Sequence, residues 1–210
     1  MTVGASRRPS RAEQLVARRA ALLDAAERVA LERGLANTRV ADVAAATDVS
    51  AGLIHYHFSS KDELFAEMLK SAAQRDIDRV RQIVAGSGSA VSRLDRLFKE
   101  FIPAQPGDQS WVLWIDAWGA ALRDPGLRDI TTELDDAWIE MLERVLRDGA
   151  ESGEFDCPDP AASACRLAAL LDGLGVRIAL QGKQSRREAI RHARIAAAKE
   201  TGLTEADFPS

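Results

Sequence analysis

The residues that stand out chemically lie in one short stretch, "SAGLIHYHFSSKDEL", Ser50 to Leu64. It holds the chain's only Tyr, Tyr56, and two of its three His, His55 and His57, with Lys61 a turn further on. Metal ligation is the first chemistry to weigh. His55 and His57 are two residues apart, which on a helix turns them roughly 200° away from each other. A helical His pair that shares an ion is spaced four apart, and no acid or Cys stands beside these two to complete a ligand set. No metal site is expected. Catalysis fares no better: His192 stands alone, Cys157 and Cys165 have no His near them in sequence, and no nucleophile or acid–base set converges. Neither a catalytic residue nor a cofactor is expected. A buried turn, or a surface that touches another molecule, remains.

The rest of the chain says which elements must carry that stretch. At 46% hydrophobic and only 5% aromatic, with abundant Ala, Leu, Arg and Glu, the 210 residues read as a helical globular protein that buries a core without disulfide or metal help. Cys157 and Cys165 read as free thiols in a reducing cytoplasm. No apolar run follows the N-terminal arginines, so no signal peptide is expected. The most apolar stretch, Leu167 to Leu180, is broken by Asp172 and Arg177 too soon to span a membrane. Net charge is −4, yet Arg7, Arg8, Arg11, Arg18 and Arg19 face a single acid, Glu13, before Ala20. Such a basic arm, placed at residues 1–17, either contacts phosphates or is a solvated tail.

The punctuation predicts about nine helices and no sheet. From Arg18 to Arg33, Leu22, Leu23, Ala26, Val29 and Ala30 keep the helical period, and Gly34 stands where a C-cap is wanted. A short helix follows over Arg39–Thr47, with Thr38 as its N-cap. Another covers Ala51–Phe58. Three residues, Asp48, Val49 and Ser50, join the two, which is the helix-turn-helix spacing, and Asp48 sits where the turn needs a positive φ. Ser60 and Glu63 form a capping box for a long helix from Lys61 to about Ala85, and "GSGS" ends it. Asp124–Pro125 and Asp159–Pro160 each pair an N-cap with Pro at the first helical position, and "SRRE" caps a last helix. In this frame small Ala51 and Gly52 allow close approach to a surface, His55, Tyr56 and His57 remain as exposed donors, and Lys61 adds a cation to a helix N-terminus.

Over "LLDAAERVALERGLANTRVADVAAATDVSAGLIHYHFSSKDELFAEML", Leu22 to Leu69, the chain resembles the DNA-binding domain of the TetR family of transcriptional repressors. The resemblance implies a helix-turn-helix domain over residues 18–69 and a helical ligand-binding and dimerisation domain over residues 70–210. It implies that Tyr56 and Lys61 contact phosphates, that Ser50, Ala51, Gly52 and His55 face bases, and that Arg39 and Val40 start the supporting helix near the DNA backbone. His57 either bonds a phosphate or caps the helix junction. Asp48 replaces the family's usual Gly, and Leu53, Ile54 and His55 replace a frequent Thr-Leu-Tyr, which puts base preference out of reach. The Trp-rich middle and "LLDGLGVRIAL" look like the branch with a BetI-type C-terminal half.

In that half, Trp111, Trp114 and Trp118 share one helix face and Trp138 lies on the next helix. By resemblance they line a ligand cavity suited to an apolar or cationic molecule; the alternative is core packing. Leu167, Leu171, Leu174 and Ile178 form a stripe, with Leu170 and Gly173 off it. Together with Ile190, Ala193 and Ala197 of the last helix, these residues are expected to form a four-helix homodimer interface. Asp172 and Arg177 either pair, line a pocket or sit at a solvated edge. The expectation is a homodimeric regulator, a repressor released from a double-stranded DNA operator by a small-molecule effector. The competing readings are a scaffold or ligand-binding dimer without DNA binding, and a small helical enzyme.

Overall fold

A computed structural model describes residues 10–209, and every regular element among them is helical. Nine α-helices follow in order: α1 Arg11–Arg33, α2 Val40–Thr47, α3 Ala51–His57, α4 Lys61–Val84, α5 Ala90–Phe101, α6 Gln109–Ala121, α7 Pro125–Glu151, α8 Pro160–Val176 and α9 Arg186–Thr201. A π-helical turn, Arg177–Gln181, continues α8, and a 3₁₀ turn, Glu205–Asp207, follows α9. The chain divides into two compact units, one ending at Ser71 and the other beginning at Ala72.

In the first unit, Leu22, Ala26 and Val29 of α1 are buried, as are Val43 of α2, Ile54 of α3, and Leu64 and Met68 of α4. Helix α1 starts at Arg11, seven residues before the start at Arg18 that the apolar period predicts. The Ser10 hydroxyl accepts from the Glu13 amide at 3.2 Å while Glu13 accepts from the Ser10 amide, a capping box that launches the helix. Leu15 and Val16 are exposed, so this first stretch carries no buried face for periodicity to find. Arg11, Arg18 and Arg19 are therefore helical, and Arg7 and Arg8 lie outside the described residues. Arg19 is also committed locally: its guanidinium lies 4.4 Å from the Phe58 ring centre and 3.4 Å from Glu67.

The cap of α2 also differs from expectation. Arg39 occupies the N-cap position, with its amide donating to Asp42 Oδ2 at 2.8 Å, while Thr38 is buried and its hydroxyl donates to the Gly34 carbonyl at 2.8 Å. Asp48 closes α2 at φ 53°, ψ 40°, the left-handed conformation that the turn requires. It is the only non-glycine among the described residues with positive φ.

The second unit packs α5, α7, α8 and α9 around Leu94, Phe98, Val145, Leu146, Leu167 and Ala193. Asp124 and Asp159 cap α7 and α8 through the amides of Leu127 and Ala162, at 3.2 and 3.0 Å. Buried Asp95 bridges α5 to α9, 2.8 Å from Arg194 Nε and 2.7 Å from Lys99 Nζ. Removing either partner of such a buried bridge is costly because it strands a charge.

This packing corrects the expected interface. Leu167, Leu171, Leu174, Ile178, Ala193 and Ala197 are buried inside the chain's own core. An apolar stripe at helical spacing faces whatever lies nearest, and here that is α5 and α7 of the same chain. Leu170 and Ile190 stay half-buried, Gly173 exposed.

Candidate functional site

Two regions carry functional side chains, one in each unit. In the first, α2 and α3 form the helix-turn-helix. Ser50 caps α3 by accepting from the Leu53 amide at 3.2 Å, so its oxygen is partly engaged, and it remains exposed with Ala51 and Gly52. Ile54 is the buried anchor of α3. Next to it His55 is exposed, and Tyr56 is 70% exposed, too open for a core aromatic. His57 is half-buried, its ring edge-on to Tyr56 with centroids 5.3 Å apart, and its Nε2 is enclosed without a hydrogen-bond partner. Phe58 is core.

Lys61 stands in the first turn of α4 with its Nζ 5.2 Å from the Phe65 ring centre, half-buried. The capping box before it is shifted by one residue. Ser60 Oγ accepts from the Glu63 amide at 3.0 Å, but Glu63 reaches back to the amide and hydroxyl of Ser59, which hold its carboxyl below the usual range. Arg39 is exposed and Val40 half-buried at the start of α2. Donors and a cation therefore gather on α3 and at the starts of α2 and α4.

The second region is a cavity of about 260 Å³ in the C-terminal unit. Trp111, Trp114, Trp118 and Trp138 all line it. Trp118 lies 6.1 Å from Trp111 and 6.3 Å from Trp114, ring centre to ring centre. Phe101, at the end of α5, completes the wall, standing edge-on to Trp111 at 5.6 Å and to Trp138 at 5.0 Å. Trp111 is the most buried of the four, and its Nε1 donates to the Phe101 carbonyl at 3.0 Å. Gly175 of α8 makes room for it: a Cβ there would lie 2.0 Å from the indole. Gly173, two residues earlier, has nothing within 4 Å of such a Cβ.

Polar groups reach the same space. Arg79 pairs with Glu100 at 2.6 Å and with Asp76, whose other oxygen accepts from Ser110 Oγ at 3.1 Å. Arg186 donates to the carbonyls of Ile102, at 3.2 Å, and Lys99. Asp135 of α7 and Asp172 of α8 line the cavity too. Burial, and then the charge of Asp135, push the Asp172 carboxyl up to about 6. Burial, and then Asp136, push Asp135 up as well.

Sequence reasoning left Asp172 between three readings, and it lines the cavity, whereas Arg177 is exposed on the π-helical turn. It missed Asp135, Phe101 and Arg79. One signal was present for Asp135, which precedes Trp138 by three residues and so shares its helix face. No group of three or more His, Cys, Asp or Glu among the described residues has a geometry that could hold a metal ion.

A helix-turn-helix unit joined to a helical unit with a ligand-sized, aromatic-walled cavity is the architecture of a one-component transcriptional regulator. Residues 22–68 match the family model described as bacterial regulatory proteins of the tetR family, and residues 90–201 match that described as "BetI-type transcriptional repressor, C-terminal". The chain is 31% identical to the HTH-type transcriptional regulator BetI of Burkholderia mallei, over 79% of this chain and 84% of that one. It is 29% identical to the HTH-type transcriptional repressor KstR2 of Rhodococcus jostii, over 66% and 70%. A transcriptional regulator from Saccharomonospora viridis, solved in complex with choline, superimposes with a TM-score of 0.79 at 29% identity, covering 89% of this chain and 98% of that one. This chain belongs to the TetR family and is a ligand-responsive, DNA-binding transcriptional regulator with a BetI-type C-terminal half. No helix among the described residues is long and apolar enough to cross a membrane.

Proposed function

We propose that the protein represses transcription as a homodimer on a pseudo-palindromic operator and leaves it when a small organic molecule enters the cavity among Trp111, Trp114, Trp118 and Trp138. The cavity wall carries this reading: five aromatic rings enclose about 260 Å³, at the small end for a ligand site, which suits a ligand of few heavy atoms. Ring faces attract cations, and the similar S. viridis regulator was solved with choline, so an organic cation is favoured over a purely apolar molecule.

On the DNA side, α3 enters the major groove. Ser50, Ala51, Gly52 and His55 face base edges, Tyr56 and Lys61 hold phosphates, and His57 braces Tyr56. Arg39 and Val40 meet the backbone beside α2. Dimerisation uses the outer faces of α8 and α9, where Leu170, Gly173 and Ile190 stay outside the chain's fully buried core and Leu180 is exposed. Two recognition helices related by a dyad read half-sites roughly 34 Å apart.

The experiment is selection of bound duplexes from a random library. Titration of the selected duplex with choline follows, reading Trp emission and DNA release together. Selected sequences should show inverted symmetry, and affinity should fall steeply with salt. Trp114→Ala should keep DNA binding and lose the ligand response. Selected sites without a dyad would refute the homodimer reading, and a Trp114→Ala variant that unfolds would return the indoles to core packing.

A further inference from the structure

The cavity's fixed charges are unequally neutralised. Arg79 is spent on Asp76 and Glu100. Lys99 is spent on Asp95, which lies outside the cavity wall, and Asp108 accepts from the Trp111 amide to cap α6. Arg186 is turned to the last carbonyls of α5, where a helix C-terminus already carries partial negative charge. Asp135 and Asp172 are the exception: neither has an ion pair or a hydrogen bond among the described residues. Asp172 is half-buried, and Asp135 is exposed at the rim, near enough for its charge to act on Asp172. Burial and the Asp135 charge both disfavour an ionised Asp172, an unfavourable arrangement unless something neutralises it. Among the described residues no cation pairs with either carboxylate, and both line the aromatic-walled cavity.

We propose that Asp135 and Asp172 are the specificity-determining pair of the effector site, selecting a ligand of net positive charge over a neutral molecule or a zwitterion of the same shape. This rests on the cavity being the effector site. The indoles then supply shape and cation–π attraction, which a neutral isostere partly shares through its apolar surface. The carboxylates supply charge discrimination, which it cannot share. A zwitterion delivers its cation to the indoles but brings a carboxylate toward two others, and like charges in a desolvated space are costly. Among the described cations that line the cavity, only Arg186 has no carboxylate partner, and its contacts with the Lys99 and Ile102 carbonyls hold it to the α5 terminus.

Selection by ionised carboxylates has a second signature. Asp172 must give up its proton for the cation to be held, so the cation's affinity is full above pH about 6 and falls below it. The neutral isostere should show no such fall. The groups that face Asp172 across the cavity are Asp76 and Arg79 of α4, Lys99 and Glu100 of α5, Asp108 before α6, and Arg186 of α9.

The test is titration of Trp emission in the full-length protein with choline, its neutral carbon isostere 3,3-dimethylbutan-1-ol, and the zwitterion glycine betaine. Choline should bind about tenfold or more tightly than either of the others. Asp172→Asn and the double variant with Asp135→Asn should lose that preference through weaker choline binding, with the isostere little changed. Asp172→Glu should restore it, and the fall in choline affinity below pH 6 should vanish in Asp172→Asn. Thermal melting confirms that each variant is folded. A choline preference that survives in the folded double variant, or equal binding of all three by the unaltered protein, overturns this inference and leaves the effector site standing. No emission change with any of the three overturns both.

Discussion

Gly175 tests whether the aromatic wall is as tightly built as its geometry says. An added Cβ would meet three carbons of the Trp111 ring, the nearest at 2.0 Å. An indole cannot yield as a flexible chain end does. This one is held by its Nε1 bond to the Phe101 carbonyl and wedged against Phe101 and Trp118. Overpacking of this kind costs ~1–3 kcal/mol, while replacing a helical Gly by Ala returns about 1 kcal/mol. Gly175→Ala should therefore range from neutral to destabilising by ~2 kcal/mol. The internal reference is Gly119→Ala in α6, away from the proposed dimer face, where the Cβ meets nothing in the chain and only the helical gain of ~0.5–1 kcal/mol applies. The steric difference between the two is ~1–3 kcal/mol, and at ~2–4 °C per kcal/mol Gly175→Ala should melt about 2–12 °C below Gly119→Ala. Calorimetry at one fixed protein concentration measures it, because a dimer's melting point depends on concentration. Trp emission read alongside should shift only for Gly175→Ala, as Trp111 leaves its place. Equal melting points with unchanged emission would mean that Trp111 does not pack on α8, and the cavity wall would have to be redrawn.

Other substitutions probe each region. Tyr56→Phe and Lys61→Ala should each weaken binding to all duplexes alike, measured by gel shift across sequences, with melting unchanged; His55→Ala should instead alter which sequence is preferred. Leu171→Glu places a charge among buried Leu and Phe side chains and should cost several kcal/mol, seen as loss of helical circular dichroism; a well-folded monomer would contradict its burial. Asp172→Asn should stabilise the unliganded protein at neutral pH. An acid whose folded-state pKa is raised, here from 3.8 to about 6, binds its proton more tightly when folded, so its penalty is absent below about pH 4, grows toward pH 6 and is full above. Allowing for solvent screening, the gain is about 1–2 kcal/mol at pH 7 and nil at pH 4. Equal melting of both proteins at both pH values would refute it.

What the sequence determined by itself was local. Helix ends are set by residues within a turn of one another, and the Asp–Pro pairs at Asp124 and Asp159, the Ser185–Glu188 box and left-handed Asp48 all stand where they were read. The helix-turn-helix was legible for the same reason: three joining residues and a buried anchor at Ile54 settle it within twenty positions. The shared face of Trp111, Trp114 and Trp118 also follows from spacing alone. The first turns of α1 escaped notice because capping, without burial, starts that helix.

Only the tertiary structure decided which faces meet. Periodicity showed that Leu167, Leu171, Leu174 and Ile178 are covered but not by what, and α5 and α7 of the same chain cover them before any partner can. Likewise the cavity is lined by Phe101 from α5, Asp135 and Trp138 from α7, and Asp172 from α8, three helices whose contributions lie tens of positions apart in sequence. Whether the indoles wall a space or fill one depends on how far Gly175 lets Trp111 sink against α8. Asp172 owes its raised pKa to neighbours brought near by packing. Burial and charge are sums over surroundings in space, and a linear chain records those surroundings only where contacts are local.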